Sequence, residues 1–187
     1  MNSLSTPSEI AQALINGKVG VLPTDTVYGL VATVNDKTAV TRIYNIKKRD
    51  EKPGTIIAAS VDQLVELGIE RASLRAAEKY WPGAVSVVLP EVGLEYLHLG
   101  RNSLAVRIPD NQFLLQLLQI TGPLVTSSAN LSGQPVANNI SEAFEYFGNQ
   151  QVDFYVDGGD LSKNLPSTIL KLSDGGVVVI RQGAVKL

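Results

Sequence analysis

The sequence predicts an α/β protein built on a mixed sheet flanked by helices, and three observations carry that prediction. Short apolar runs alternate with segments of helical periodicity. Capping signatures punctuate the helix starts. Several apolar runs also sit close together across short Gly-rich turns such as Asp174-Gly175-Gly176, which favours some antiparallel pairing over a purely parallel sheet. A chain of 187 residues is long enough for one sizeable core. With no repeat, low-complexity tract or linker in view, residues 1–187 read as a single domain.

Taken in order, Thr6-Pro7-Ser8-Glu9 opens a helix, with Thr6 as N-cap, Pro7 at the first helical position and Glu9 completing a capping box. Ile10, Ala13 and Leu14 form its buried stripe and Gly17 ends it. Val19 to Leu22 follows as a buried strand, closed by Pro23. The next residues, through Leu30, read as a turn at the sheet's end. Asp36 caps a second helix whose buried side is Ala39, Val40, Ile43 and Ile46, and which runs into Lys47-Lys48-Arg49. Thr55 to Ala59 is a strand, and Ser60-x-x-Gln63 caps a short helix that Gly68 stops. A helix from Ser73 to Tyr80 then meets the turn Trp81-Pro82-Gly83. Strands at 84–89, 104–108 and 124–126 follow, with a helix at 112–118 between the last two. A helix at 141–147 and strands near 154–156, 168–172 and 177–181 complete the chain.

Composition excludes several chemistries. Cysteine is absent, so disulfides, thiolate nucleophiles and cysteine metal sites are ruled out. The single histidine, His98, precludes a multi-histidine metal site and reads as a surface or loop residue. Lysine and arginine number 16 against 18 aspartates and glutamates, so the surface as a whole does not advertise a nucleic-acid binder. No apolar run approaches membrane-spanning length and the N-terminus lacks the pattern of a signal peptide. The expectation is a cytoplasmic protein with no membrane partner. Neither GxxxxGK[ST], GxGxxG nor GxSxG is present.

Five segments look unlike plain scaffolding. Val125-Thr126-Ser127-Ser128-Ala129-Asn130-Leu131-Ser132-Gly133 gathers hydroxyls and an amide at a strand exit, able to bind a polar ligand without adding charge. Pro23-Thr24-Asp25-Thr26-Val27-Tyr28-Gly29-Leu30 packs hydroxyls, a carboxylate and a phenol at another strand end, where α/β proteins place ligands. Lys47-Lys48-Arg49, with Lys52 nearby, reads either as a solvated helix end or as a phosphate clamp. Arg107, inside Ala105-Val106-Arg107-Ile108-Pro109, needs an anionic partner. A structural carboxylate and a ligand carboxylate both answer that need. Ser167-Thr168-Ile169 and Arg181-x-Gly183 place polar groups at two further strand ends.

Together with Trp81-Pro82-Gly83, and in this order, these segments resemble the YrdC-type family of threonylcarbamoyl-AMP synthases. The resemblance runs from near the first strand almost to the last residue. It implies a YrdC-like twisted open mixed sheet with a central concave cavity, in the short form without a further C-terminal domain. It implies a nucleotidyltransferase that makes L-threonylcarbamoyl-AMP and pyrophosphate from L-threonine, bicarbonate and ATP, for the modification of adenosine 37 of certain tRNAs. Proteins that transfer the threonylcarbamoyl group would be its partners. Lys47, Arg49, Ser128 and Asn130 fall on the family's signature tetrad around nucleotide and substrate. Thr24, Arg107, Thr126 and Ser167 fall on the threonine site. Arg181 and Ser103 would face the nucleotide, and Mg2+ would be held through phosphates and water, with no ligand from the protein. The segment Asp50-Glu51-Lys52-Pro53-Gly54-Thr55 is shorter and more acidic than the family pattern. An RNA-binding module of the same fold is the alternative reading; Lys47, Lys48, Arg49 and Lys52 would be its main cations.

Overall fold

The computed structural model describes residues 1–47, 52–90, 93–173 and 176–187. In chain order the elements are α1 (Pro7–Ile15), β1 (Gly20–Leu22), β2 (Gly29–Thr33), α2 (Lys37–Lys47), β3 (Thr55–Ile57), α3 (Val61–Glu66), α4 (Arg71–Arg75), a 3-10 turn (Glu78–Tyr80), β4 (Val85–Pro90), α5 (Glu95–His98), β5 (Ser103–Arg107), α6 (Gln112–Thr121), β6 (Leu124–Ser128), α7 (Ile140–Gln151), β7 (Phe154–Tyr155), β8 (Thr168–Ser173) and β9 (Gly176–Arg181). The strands form one sheet in the order β7-β1-β2-β6-β3-β5-β4-β8-β9. The β1–β7, β3–β5 and β4–β8 pairs are parallel and the remaining neighbours antiparallel, so the sheet is mixed. None of the described helices is long and apolar enough to cross a membrane.

Local chemistry accounts for the helix starts. Thr6 and Glu9 form the reciprocal capping box, and Asp36 Oδ1 accepts from the Thr38 and Ala39 amides at the start of α2. Ser60 accepts from the Gln63 amide, while the Gln63 side chain reaches back to the Ala59 amide. Asn111 and Asn139 cap α6 and α7 in the same way. Each cap satisfies backbone N–H groups that a helix leaves without partners.

Alternation along the strands sends side chains to two cores. On one face Leu22, Val31, Ile57 and Leu124 pack with Ile10 and Leu14 of α1 and Leu114, Leu117 and Leu118 of α6. On the other, Val21, Leu30, Ile56, Val106, Val125 and Leu170 pack with Val40 and Ile43 of α2, Leu64 of α3, Leu74 of α4 and Leu97 of α5. β9 closes the sheet at one edge, with Val177 to Ile180 all exposed.

Several elements differ from the sequence-based expectation. Residues 29–33 form β2, paired with β1 and β6 in the middle of the sheet, where the turn reading ran through Leu30. The run is apolar but short and follows a Gly, so turn signals masked it. The helix expected over 73–80 starts at Arg71 and breaks into a 3-10 turn. On α2 the buried side includes Tyr44 and Lys47, whereas Ile46 is half-buried. His98 is 1% exposed, not a surface residue. It ends α5, and its Nδ1 accepts from the Asn102 amide.

Candidate functional site

Beyond α1 and α6 the same face of the sheet turns polar. Thr55 lies two residues before Ile57, Thr126 two after Leu124, and Ala105 pairs with Thr55; period two therefore puts them on the helix-covered face. Here they line an open cavity of about 130 Å³ together with Thr24, Thr26, Gly29, Arg107, Ser128, Ser167 and Arg181. That is room for roughly four waters, the size of a small polar molecule. Gly29 keeps the space open, because a Cβ there would sit 2.6 Å from Thr126 Oγ1.

The β1–β2 connection is tied by one hydroxyl. Thr24 Oγ1 donates to the Val27 carbonyl at 2.7 Å, accepts from the Thr26 amide at 3.1 Å, and lies 2.9 Å from Thr26 Oγ1. Its single proton is therefore used within the turn. Buried Tyr28 fixes the far side of this turn, donating to the Gly159 carbonyl and accepting from the Gly158 amide.

The knotted turn sends Asp25 towards Arg107. Asp25 Oδ1 accepts from Arg107 Nη2 at 2.9 Å, and both side chains are 4% exposed. Arg107 thus has a structural carboxylate as partner, while lining the cavity from which Asp25 is set back. The contact is a single point. Asp25 Oδ2 and Arg107 Nε are buried with no hydrogen-bond partner among the described residues. Burial pushes the Asp25 carboxyl above its ordinary range, with the Arg107 charge opposing. Burial likewise pulls the Arg107 guanidinium down, opposed by Asp25. For both groups, desolvation outweighs the attraction.

A second buried cation stands at the neighbouring strand exit. Lys47, the last residue of α2, is 1% exposed. Its Nζ donates to the carbonyls of Ser128 (2.8 Å) and Asn130 (2.5 Å) and to Asn130 Oδ1 (2.6 Å). Ser128 Oγ also donates to Asn130 Oδ1 at 2.7 Å, and Asn130 Nδ2 donates to the Gln134 carbonyl at 2.6 Å. Ser127 is a buried residue of β6 whose Oγ has no partner among the described residues.

On the opposite wall, Arg181 Nη2 donates to the Ser167 carbonyl at 2.7 Å and to its hydroxyl at 3.2 Å. Ser86 Oγ donates to Ser167 Oγ at 2.9 Å. Thr168 Oγ1 accepts from the Gly183 and Val185 amides and donates to the Val185 carbonyl. A Cβ at Gly183 would collide with the Pro166 carbonyl. The paired motifs at 167–169 and 181–183 are thus one clasp.

Six of the expected residues, Thr24, Arg107, Thr126, Ser128, Ser167 and Arg181, meet at the cavity. Lys47 and Asn130 adjoin it through Ser128. Ser103 shares the Arg107 face of β5 but lies four residues away, about 13 Å along a strand. There it lines a separate cleft of about 550 Å³ with Arg101, Asn102 and Lys171. Arg49, with Lys48, Asp50 and Glu51, lies outside the described residues; Lys52 is exposed and Pro53 lines the cavity. Asp25, Thr26 and Thr55 were not among the expected site residues. The signal for Asp25 was the counter-ion that Arg107 requires.

The family model Sua5_yciO_yrdC, described as "Telomere recombination", matches residues 12–183. A threonylcarbamoyl-AMP synthase of Pyrococcus abyssi is 34% identical over 180 residues, covering 91% of this chain and 52% of the relative. A putative threonylcarbamoyl-AMP synthase of Methanocaldococcus jannaschii is 28% identical over 95% of this chain and 86% of its own length. Among solved structures, P. abyssi Sua5 complexed with L-threonine superposes with a TM-score of 0.83 at 32% identity, covering 95% of this chain and 54% of that one. Escherichia coli YciO also gives a TM-score of 0.83, at 27% identity and with 90% of its chain covered. The chain spans about half the length of the P. abyssi relative.

Proposed function

Because the chain belongs to the Sua5/YciO/YrdC family, we propose that it is a threonylcarbamoyl-AMP synthase, converting L-threonine, bicarbonate and ATP into L-threonylcarbamoyl-AMP and pyrophosphate. The observation that carries this reading is the cavity. It is amino-acid-sized, walled by hydroxyls and floored by Arg107, whose planar fork suits a carboxylate. The P. abyssi Sua5 structure, complexed with L-threonine, points the same way.

In this reading threonine lies with its carboxylate on Arg107 and its polar groups near Thr126 and Ser167. Its amine nitrogen bonds to the bicarbonate carbon with loss of water, giving a carbamate. A carbamate oxygen then bonds to the α-phosphorus of ATP as the α–β bridging P–O bond breaks, and pyrophosphate leaves with the electron pair. Such a displacement asks the protein mainly for alignment and charge stabilisation, which cations, hydroxyls and an amide can supply. ATP exceeds the cavity and would lie across the open sheet face, bordered by Ser128, Arg181 and, farther along β5, Ser103. Mg2+ would accompany the triphosphate, bound through phosphate oxygens and water. The mixed anhydride would pass to proteins that modify adenosine 37 of tRNA.

The test is pyrophosphate release by purified protein, with the product identified by mass. Release is expected only when ATP, L-threonine, bicarbonate and Mg2+ are all present. Turnover that ignores threonine, or salt-sensitive RNA binding without turnover, would overturn the reading.

A further inference from the structure

An ammonium group has three N–H donors, and Lys47 Nζ is held by three oxygens at 2.5–2.8 Å. The side chain is buried and Lys47 does not line the cavity, although Ser128 does. Reaching a phosphate would require Lys47 to give up its bonds to the Ser128 and Asn130 carbonyls, half-buried acceptors at the strand exit, and the Ser128 carbonyl would then keep the Asn130 amide as its donor; each bond given up is a cost. The same ammonium fixes Asn130 Oδ1, which also takes the Ser128 hydroxyl proton. Asn130 Nδ2 is anchored in turn on the Gln134 carbonyl. Lys47, Ser128 and Asn130 are therefore one hydrogen-bonded unit, and its member that lines the cavity is Ser128, whose hydroxyl proton is already committed to Asn130 Oδ1 and whose oxygen can still accept.

We infer that Lys47 is a positioning residue: it acts on the reaction by holding the 128–130 turn, and Ser128 meets the ligand as a hydrogen-bond acceptor. A natural donor to that acceptor is an N–H or hydroxyl of the substrate, such as the carbamate nitrogen. This assignment rests on the synthase reading for its catalytic consequence, but the holding role exists without substrate and can be measured without it.

The first arm is amide hydrogen exchange on ligand-free protein. Lys47→Met keeps the aliphatic stem and removes the donors. The hydrogen-bonded amides of Ala129, Asn130 and Gln134 are expected to exchange at least about tenfold faster than in wild type, while those of α6 are unchanged. Unchanged exchange at 129–134 overturns the inference. The second arm is kinetic. Lys47→Met is expected to lower kcat about 100-fold or more while KM for ATP and inhibition by pyrophosphate stay within about threefold. Lys47→Arg does not rescue, because a planar fork does not fit a three-oxygen cage. Combining Lys47→Met with Asn130→Ala is expected to be no worse than the more damaging single change, as for residues acting as one unit. Multiplying penalties, or a rise of about tenfold or more in KM for ATP, would place Lys47 on the phosphates and overturn the inference. Wild-type protein without threonine-dependent turnover fails the synthase reading alone, and the exchange arm still decides the holding role. Should Lys47→Met not fold, 15N-labelled wild type decides. The Lys47 ammonium signal is expected to stay put when pyrophosphate shifts the site's backbone amides, and movement of that signal overturns the inference.

Discussion

Lys47 and Arg107 are both buried cations at strand or helix ends around one cavity, yet they are held in opposite ways. Lys47 meets three oxygens. Among the described residues, Arg107 makes one side-chain hydrogen bond, to Asp25, and keeps a buried Nε without a partner. A cation whose donors are taken up inside the protein is set before any ligand arrives and works through what it holds. A cation with donors left over beside a cavity is free to meet a ligand, which is the role proposed for Arg107. The second arrangement is also the costlier for folding, since burial disfavours the charged form of both Arg107 and Asp25.

The largest effect that would break this comparison lies at Arg107. Arg107→Met is expected to lower threonine-dependent turnover by about 10³-fold or more, as when a site loses the group built to bind its ligand. It also leaves Asp25 buried without a counter-ion, at a stability cost of about 3–5 kcal/mol near neutral pH, measured by urea unfolding. Near-normal turnover would remove Arg107 from the receptor role. Adding Asp25→Leu to Arg107→Met is expected to bring stability back to within about 1 kcal/mol of wild type or above it, with turnover still lost. A double variant no more stable than Arg107→Met would mean that the ion pair is a net stabiliser.

A smaller effect is expected at the cavity wall. Gly29→Ala places a methyl against Thr126 Oγ1 and is expected to raise KM for threonine about tenfold, at a stability cost of about 1–3 kcal/mol from overpacking. An unchanged KM would move the amino acid elsewhere.

The smallest is a pH slope. Asp25 has its folded pKa raised above the ordinary 3.8, so the folded state holds that proton more tightly than the unfolded chain. Its contribution to stability is fully present below the ordinary value and is lost as pH rises through the raised one. The stability of wild type minus that of Asp25→Asn is therefore expected to fall as pH rises through that window. A difference that grows with pH would show that Arg107 outweighs the desolvation of Asp25.

Much of the site was legible because its residues arrive in short polar clusters at the ends of apolar runs. The segments that hold Thr24, Thr126, Ser128 and Ser167 stood out that way, and Arg107 by its charge within an apolar strand; the resemblance picked the individual residues within those segments. The partner of Arg107 was not legible, since a structural and a ligand carboxylate satisfy the same sequence. Ser103 was assigned by resemblance; its place four residues from Arg107 on one strand sets it in another cleft. Of the run read either as a solvated helix end or as a phosphate clamp, Lys47 is helical and buried, and Arg49 lies outside the described residues.

By itself the sequence determined what is settled within a few residues of chain: the capped helix starts, most strands, and the hydroxyl-rich turns. An N-cap joins residues three apart, and amphipathic periods are written in one short window. Tertiary structure alone decided the pairings that make the site. Asp25 meets Arg107 across 82 positions and Lys47 meets Ser128 across 81, and these partners depend on a strand order that places β6 between β2 and β3 and β5 beside β3. Burying a charge makes a partner obligatory, which the sequence can announce; which partner lies within 3 Å is a property of how the strands are stacked.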